Sequence, residues 1–413
     1  MHVILFEDNL ATQLFPATIA RAAFAINIGT YRLVDLAQRL SNNVEAVVRP
    51  YLKELVSRDF PGLWTPGRGE RSEPVLILNA RAVPHVDMFE RIKQLAQQGI
   101  SGVVSTDRGI ACALFSRQNP LPHDIIGSSQ LLGIIEDMNL PPLDIQIPLL
   151  EYAHDIVRHQ IRIIGDNLND RLRSGEYKEI ADGVFSADGK PLGQYCVADV
   201  KEGPIVLESG VDVGPFCFFK GPVYVGPKTK IIEHSALKEA VSLGSTVKVG
   251  GEVEASIIES FSNKQHHGFL GHSYLGSWIN LGAGTSNSDL KNTYGEVVME
   301  YSNRKTKTGM QFVGSFIGDY AKTAINTSIF TGKTIGACSM VYGFVTTNVP
   351  SFVNYARSFG QVTETAVDIF VQAQARMFAR RGVEQRPCDV QLLRDIYEMT
   401  KHERQLASEP LSL

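Results

Sequence analysis

The chain has 413 residues, of which 44% are hydrophobic and 20% charged, and its net charge at pH 7 is −4. This length predicts two or three domains, each able to bury a core. A slightly acidic chain lacks the basic footprint of a nucleic-acid-binding protein. No apolar run reaches the roughly 18–20 residues of a transmembrane helix. We therefore expect a globular protein with neither nucleic acid nor membrane as a partner.

Two further features favour a cytoplasmic location. The chain begins with an apolar run followed by acids, without the basic region and cleavage site of a signal peptide. Its cysteines lie at least 21 residues apart and have no zinc-type spacing; they are Cys112, Cys196, Cys217, Cys338 and Cys388. Dispersed cysteines of odd number suit a reducing compartment, where they act mainly as small buried apolar residues.

The region up to about residue 195 mixes strand and helix signals. Residues 2–6 and 75–78 are short apolar runs typical of buried parallel strands. Residues 31–40 and 88–98 have helical spacing, the second after a possible N-cap at Asp87. Residues 144–173 predict a long helical stretch with a break at Gly165. The alternation predicts an α/β domain over residues 1–195.

The middle of the chain contains a six-residue repeat. Every sixth position is apolar at ten consecutive positions of the frame: Leu207, Val213, Phe219, Val225, Ile231, Leu237, Leu243, Val249, Ala255 and Phe261. Four residues after each of the first eight stands a small or β-branched residue: Val211, Cys217, Val223, Thr229, Ser235, Val241, Val247 and Val253. The frame slips by two and resumes at Phe269, Leu275 and Leu281. After a polar excursion over residues 286–308 it returns at Ile317, Thr323, Ile329, Ile335 and Val341.

This double pattern predicts a left-handed parallel β-helix over residues 200–350. An antiparallel sandwich is the alternative, but its two-residue alternation is weaker here. Residues 351–413 return to helical spacing at 364–381 and 389–405, which predicts a C-terminal helical segment. Solenoids need caps and covered faces. Apolar residues expected on outer faces, namely Trp278, Phe218 and Phe330, therefore predict a homotrimer.

Residues 266–285 read HHGFLGHSYLGSWINLGAGT. This run resembles the acetyltransferase half of the bifunctional N-acetylglucosamine-1-phosphate uridylyltransferase/glucosamine-1-phosphate acetyltransferase family. That family has a His, a YLG or FLG turn and an Asn entering GAGT at the same separations. Residues 288–292, 308–312 and 317–320 look like its divergent branch, whose N-terminal region is similar to a sugar nucleotidyltransferase. The likeness is specific over residues 205–355.

The resemblance implies an acetyl-CoA-dependent enzyme and assigns residues to its site. His266 would be the general base, Phe269 would lie beside the sugar, and Asn280 would bind the sugar phosphate. Ala283, with Gly282 and Gly284, would offer backbone to the coenzyme. Phosphate ligands would be Lys220 and Lys238, although about one extra coil separates Lys238 from His266. Lys291, beside Asn292, is either a phosphate or coenzyme contact or part of a solvated loop.

Two of the assigned residues, His266 and Asn280, have alternative interpretations. His266 could be a solvated corner residue, and Asn280 could belong to an asparagine ladder inside the coil. His267 and His272 lie near His266 in sequence, but no carboxylate cluster accompanies them, which disfavours a metal site. We expect only one of His266 and His267 to face the cleft, since neighbouring strand residues point to opposite faces.

The same resemblance implies a nucleotidyl site in the first domain that would need Mg²⁺ if it is active. Its candidate residues are Glu7, Asp8, Arg21, Asn79 and Asn167. The phosphate-cradling glycines of such domains are missing, since Gly29 is the only glycine before Gly62. Asn79 stands where the family has a metal-binding Asp.

Three hypotheses follow. The first is N-acetylation of glucosamine 1-phosphate or a similar amino-sugar phosphate, coupled to uridylyl transfer that gives UDP-N-acetylglucosamine. The second is an N-acyltransferase that acts on a nucleotide-linked amino sugar. The third is a non-catalytic trimeric scaffold that binds nucleotide sugar. The acceptor sugar and the base are not determined by the sequence.

Overall fold

The computed structural model describes residues 1–64, 74–117, 121, 127–301 and 304–407. Contacts divide the chain into two compact units. Unit 1 comprises Met1–Leu14, Arg21–Ile26 and Tyr31–Tyr152, and unit 2 comprises Phe15–Ala20, Asn27–Thr30 and Ala153–Leu413.

In the part of the chain that the structure describes, no helix has both the length and the hydropathy to span a bilayer.

Strands and helices alternate along the chain up to Ser174. In chain order they are β1 His2–Phe6, β2 Asn27–Ile28, β3 Tyr31–Arg32, α1 Leu33–Leu40, β4 Asn43–Val47, α2 Lys53–Asp59, β5 Leu63–Trp64, β6 Val75–Asn79, α3 Val86–Gln97, β7 Gly102–Thr106, β8 Gly109–Phe115, α4 Ser128–Asp137 and α5 His154–Ser174. Short 3₁₀ turns lie at Asn9–Leu14, Ala23–Ala25 and Pro50–Leu52.

Unit 1 is built on a six-stranded sheet of order β5-β4-β1-β6-β8-β7. The first four of these strands are parallel, β8 runs antiparallel to β6, and β7 runs antiparallel to β8. All of β6 and nearly all of β1 are buried, which explains why both are uninterrupted apolar runs. The predicted α/β layer is confirmed.

The predicted helices need three corrections. Helix α3 begins at Val86, so Asp87 lies in its first turn and is not its N-cap. Helix α5 begins at His154, well after the expected start at residue 144. It continues through Gly165 without a break, because a single helical glycine costs only about 1 kcal/mol and the buried neighbours Ile163 and Ile164 outweigh it.

Unit 2 continues with short strands and three terminal helices. The strands are β9 Lys178–Ala181, β10 Val184–Ser186, β11 Val197–Asp199, β12 Ile205–Leu207, β13 Asp212–Val213, β14 Phe218–Lys220, β15 Val223–Val225, β16 Lys230–Ile231, β17 Ala236–Lys238, β18 Val241–Leu243, β19 Lys248–Val249, β20 Glu252–Glu254, β21 Ile257–Ile258, β22 Asn263–Lys264, β23 Phe269–Gly271, β24 Tyr274–Leu275, β25 Ser286–Asn287, β26 Val298–Tyr301, β27 Arg304–Lys307, β28 Ser315–Ile317, β29 Lys322–Thr323, β30 Ser328–Ile329, β31 Lys333–Ile335, β32 Met340–Val341, β33 Phe344–Val345, β34 Val353–Ala356 and β35 Gln361–Glu364. The helices are α6 Val367–Arg380, α7 Pro387–Met399 and α8 Lys401–Ala407, and a 3₁₀ turn lies at Arg357–Phe359.

These strands form a left-handed parallel β-helix of about nine turns. One face stacks β12, β15, β18, β21, β24, β28 and β31. The Asn280 face stacks β13, β16, β19 and β22, continues through Asn280 and ends in β29, β32 and β34. The Phe269 face stacks β11, β14, β17, β20 and β23. The predicted solenoid is confirmed, and the sandwich alternative is wrong.

The repeat frame is correct up to Val249 and then changes earlier than predicted. Leu237 pairs with Val253, and Val249 pairs with Lys264, so these coils are shorter than the three hexapeptides of a full turn. The interior is therefore filled by Val253, Ile258, Lys264 and Leu270. Ala255, Phe261 and Phe269, which the six-residue frame placed inside, lie outside the core cluster. The frame from Ile317 to Val341 is buried as expected.

Helix α6 covers part of the solenoid. Trp278 stacks on Phe261 with ring centroids 4.3 Å apart, and Phe378 of α6 packs on the other side at 4.5 Å. Trp278, which we expected on an outer face available for association, is thus half-buried within its own chain. Phe330 remains 49% exposed.

Candidate functional site

Residues 266–268, the histidine bend, join the Asn280 face to the Phe269 face. They form a bend between β22 and β23, so His266 and His267 do not alternate as neighbours in a strand do. Both side chains are exposed. The strand alternation from which we expected only one of them to face the cleft is therefore absent, and which histidine faces the cleft stays a prediction. Among the described residues, no hydrogen-bond partner holds the imidazole of His266.

A buried lysine holds the bend from within. The Lys264 side chain occupies an interior position of the solenoid and is 2% exposed. Its Nζ donates to the carbonyl oxygens of Gly250 at 2.7 Å, His266 at 2.9 Å and Gly268 at 2.7 Å. Burial lowers its pKa to about 8, and Glu252 partly opposes this. Sequence reasoning missed Lys264, although a lysine beside the slip in the apolar frame is the signal for it.

The glycine corner, residues 282–285, lies one turn further along and contacts the bend. The N–H of Gly284 donates to the carbonyl of His267 at 3.1 Å. A Cβ at Gly284 would lie 2.1 Å from Asn326 Oδ1 and 3.4 Å from His267 Nε2, and the residue has φ +75°, so glycine is required there. Gly282 donates to Thr323. Within the described residues, the N–H of Ala283 has no such acceptor.

The Phe269 face is rich in carboxylates. Glu252 and Phe269 are directly paired on adjacent strands, as are Glu254 and Gly271. Asp289 Oδ2 lies 2.9 Å from Nδ1 of His272, and the ring of Phe312 stacks on that imidazole at 5.3 Å. Burial raises the pKa of Glu254; His272 opposes this rise. An imidazole held by a carboxylate is a positioned group, and sequence reasoning had dismissed His272 with the metal hypothesis.

Lys220 and Lys238 lie lower on the same face and are already paired. Lys220 Nζ donates to Glu239 and Lys238 Nζ donates to Glu252. Lys238 is two strands below Phe269 in the stack, or about 10 Å at 4.8 Å per strand. Neither lysine is therefore brought to the histidine bend as an unmatched charge.

The Asn280 face presents an asparagine pair. Nδ2 of Asn263 lies 3.4 Å from Oδ1 of Asn280, and the two residues are bridged as neighbours in the coil. The sequence left open such an asparagine ladder for Asn280, and phosphate binding by this exposed side chain stays a prediction. Arg381, which follows α6, donates from Nη2 to Asn263 Oδ1 at 2.8 Å. The ladder is thus anchored to a guanidinium that the sequence did not single out.

Lys291 forms a hydrogen bond within its own loop. Its Nζ donates to the carbonyl oxygen of Glu296 at 3.0 Å.

In the described part of the chain, no cluster of three or more His, Cys, Asp or Glu residues could hold a metal ion.

The two candidate nucleotidyl carboxylates of unit 1, Glu7 and Asp8, form ion pairs with arginines. Glu7 is 3% exposed and accepts from Arg49 and from the N–H of Ala23. Asp8 accepts from Arg81 Nε at 2.9 Å and Nη2 at 2.7 Å, and from Asn79 Nδ2 at 2.8 Å.

Arg81 itself is fully buried and also donates to the carbonyls of Leu150 and Arg108. Arg21 contributes its carbonyl to Arg49 at 2.9 Å. Asn167 lies on α5 and belongs to unit 2.

These contacts decide whether unit 1 fits a Mg²⁺ ion. Magnesium takes carboxylate oxygens that are free to coordinate it. Both oxygens of Glu7 and both of Asp8 accept hydrogen bonds from arginines or amide groups. The bidentate guanidinium of Arg81 also places a positive charge against Asp8. The described residues around Glu7 and Asp8 therefore do not fit the metal.

Comparison with known proteins gives a family match for the first region and curated relatives that align with about a third of the chain. Residues 3–171 match the family model described as sugar nucleotidyl transferase. A bifunctional sugar-1-phosphate nucleotidylyltransferase/acetyltransferase of Sulfurisphaera tokodaii is 30% identical over 136 residues, 33% of this chain and 33% of that protein. The bifunctional protein GlmU of Alkalilimnicola ehrlichii is 30% identical over 171 residues, 36% of this chain and 34% of that protein.

Each alignment thus covers about a third of the relative's own length. The solved UDP-N-acetylglucosamine acyltransferase of Francisella novicida is 15% identical, covers 56% of this chain and 79% of that one, and has a TM-score of 0.35, too low to bear on function. The resemblance seen in residues 266–285 is confirmed. Residues 3–171 thus match the sugar nucleotidyl transferase model, and part of the chain is similar to bifunctional sugar-1-phosphate nucleotidylyltransferase/acetyltransferases.

Proposed function

We propose that unit 2 transfers an acetyl group from acetyl-CoA to the amine of an amino-sugar phosphate, with glucosamine 1-phosphate as the first acceptor to test. The observation that carries this proposal is the contact between the histidine bend and the glycine corner. Gly284 N–H donates to the carbonyl of His267, which brings the bend that carries both exposed imidazoles against the corner that contains Ala283. The N–H of Ala283 has no acceptor among the described residues, and we propose that it serves as the oxyanion donor. A base next to an oxyanion donor is what acyl transfer requires.

In this proposal His266 acts as the general base. Its neutral imidazole accepts a proton from the acceptor's ammonium group, and the freed amine attacks the thioester carbonyl. The new C–N bond forms as the C–S bond breaks, and the thiol leaves. The N–H of Ala283 donates to the carbonyl oxygen as negative charge develops on it. Acetyl-CoA supplies the activated acetyl thioester.

The Phe269 face supports an amine as the acceptor. Glu254 and Asp289 lie around Gly271, which precedes His272. Carboxylates attract an ammonium group, and the half-buried ring of Phe269 offers an apolar surface for a sugar ring. Lys220 and Lys238 are matched by glutamates, so this face is a poor site for the phosphate.

For unit 1 we propose recognition of a nucleotide or sugar phosphate, on the strength of the family match over residues 3–171. Uridylyl transfer to give UDP-N-acetylglucosamine is the finer proposal. The ion pairs of Glu7 and Asp8 do not support a Mg²⁺-dependent step through those residues. Release of pyrophosphate from UTP and N-acetylglucosamine 1-phosphate, with and without Mg²⁺, tests it directly.

The other hypotheses are outcomes of the same assay. Thiol release from acetyl-CoA is measured with glucosamine 1-phosphate and with UDP-glucosamine. Release with the first compound alone supports the proposal, and release with the second alone supports the nucleotide-linked acceptor. Release with neither compound supports the scaffold. A homotrimer and a cytoplasmic location remain part of the proposal.

A further inference from the structure

Four cations meet on the Asn280 face below the histidine bend. Lys230 and Lys248 are directly paired on adjacent strands, and Lys248 is paired in turn with Asn263. Arg381 reaches this stack from the end of α6 by donating to Asn263 Oδ1 at 2.8 Å, and Arg380 precedes it. We call Lys230, Lys248, Arg380 and Arg381 the cation cluster.

The charges of this cluster are poorly matched. Burial lowers the pKa of Lys248, and the charges that lower it further are those of Arg381, Arg380 and Lys230. Burial also lowers the pKa of Arg381, with Arg380 adding to the effect. Among the described residues, the carboxylate paired with the cluster is Asp212, 3.6 Å from Lys230. The cluster therefore carries an excess of about three positive charges.

Like charges held together cost free energy that an anion can recover. Arg381 is suited to this task, because its contact with Asn263 uses one of five N–H donors and fixes the guanidinium in place. The remaining donors and the Lys248 ammonium can bind a phosphoryl group, whose oxygens match a guanidinium fork.

We propose that the cation cluster binds a phosphoryl group of a substrate, with Arg381 and Lys248 as its ligands and Lys230 and Arg380 supplying longer-range attraction. Asn263, which Arg381 contacts, lies three residues before His266, so their Cα atoms are at most about 11 Å apart. This deepens the proposed function and rests on it for the identity of the substrate. The phosphoryl group belongs either to the amino-sugar phosphate or to the coenzyme.

The proposed site takes the place of Lys220 and Lys238, which the resemblance suggested. It gives the two sides of the bend opposite charge, with cations on the Asn280 face and carboxylates on the Phe269 face. A compound carrying both a phosphate and an ammonium group would then have a preferred orientation across the bend.

Binding of glucosamine 1-phosphate and of coenzyme A is measured by calorimetry on the full chain. The variants are Arg381→Gln, Lys248→Gln and their combination. Arg376→Gln is the control, since it removes an exposed charge from the same helix. For one of the two ligands we expect Kd to rise roughly 10-fold in each single variant and more in the combination, as for loss of a hydrogen bond to a charged group. The control should bind like the wild type.

The ligand whose affinity falls identifies the source of the phosphoryl group. Unchanged Kd values for both ligands in the double variant overturn the site, and so does a wild type that binds neither. Folding is checked by thermal melting, and Arg381→Lys, which keeps the charge, should recover part of the affinity. If the wild type binds through Arg381 but releases no thiol, the proposed reaction fails while the site stands. If it releases thiol and the double variant keeps its KM values, the site alone fails.

Discussion

Lys264 offers the sharpest perturbation of the histidine bend. Replacement by Met keeps the length and fills the same interior space, but it removes the donor of three hydrogen bonds to carbonyl oxygens at 2.7, 2.9 and 2.7 Å. The three carbonyls are affected unequally. Gly268 O keeps the N–H of Glu252 at 3.1 Å, and His266 is exposed, so water can replace the ammonium there.

The carbonyl of Gly250 is the group left buried without a donor. Leaving a buried acceptor without a hydrogen bond costs about 1–3 kcal/mol. We therefore expect Lys264→Met to lower the free energy of unfolding by about that amount, as measured by urea denaturation. Because the Lys264 ammonium no longer holds the carbonyls of the bend, we expect the effect on kcat to be larger than the effect on stability. A displacement of about 1 Å costs roughly 10²-fold, so kcat for thiol release should fall by about 10–100-fold.

Lys333→Met is the matched control. Lys333 is a half-buried lysine of the solenoid whose pKa is also lowered by burial, but it lies on β31, on the face away from the bend. This variant should keep the wild-type kcat. If Lys264→Met folds and turns over at the wild-type rate, the bend is not the catalytic element and the reasoning is refuted.

Three other predictions follow from the same contacts. Arg81→Met should destabilise the protein by about 3–5 kcal/mol in urea denaturation, because it leaves the Asp8 carboxylate without its buried partner; a loss below about 1 kcal/mol would contradict the ion pair's role. Burial lowers the pKa of Lys264 and Lys322 to about 8, so between pH 8 and 10.5 the folded state binds fewer protons than the unfolded state, and the free energy of unfolding should rise with pH. Across this window the free energy of unfolding should rise more in the wild type than in Lys264→Met. Equal rises would count against a buried ammonium at Lys264. Light scattering at micromolar concentration should give the mass of a trimer, and a monomer's mass would remove that part of the proposal.

The solenoid could be predicted because its interior is periodic. Leu207 to Val249 are spaced by the geometry of the coil, and few other folds produce so strict an apolar frame. The frame failed where the coils become shorter than three hexapeptides, because a solenoid can lose residues at a corner while its strands stay paired. Phe269 was consequently placed inside, although its exposure is what makes it available to a ligand.

The site was only partly predictable for a different reason. Residues 266–285 lie together in sequence, so their motif indicated that the bend and the glycine corner belong together, and Gly284 does contact His267. The roles of His266 and Ala283 stay predictions. Arg381 and Asn263 are 118 residues apart, and their contact depends on where α6 docks. Lys220 and Lys238 carry the right charge, but only the folded structure shows that glutamates neutralise it. Similarly, the ion pair of Arg81 with Asp8 joins the ends of two strands far apart in sequence.

The central claim is that His266 is the base of an acetyl transfer at the bend. Thiol release from acetyl-CoA with glucosamine 1-phosphate, compared at pH 8 in the wild type, His266→Ala and His267→Ala, tests it most directly. We expect the wild type to release thiol, His266→Ala to lose roughly 10²–10⁴-fold in kcat, and His267→Ala to stay within about 10-fold of the wild type. Full activity in His266→Ala, or no release by the wild type with this acceptor, would contradict the claim.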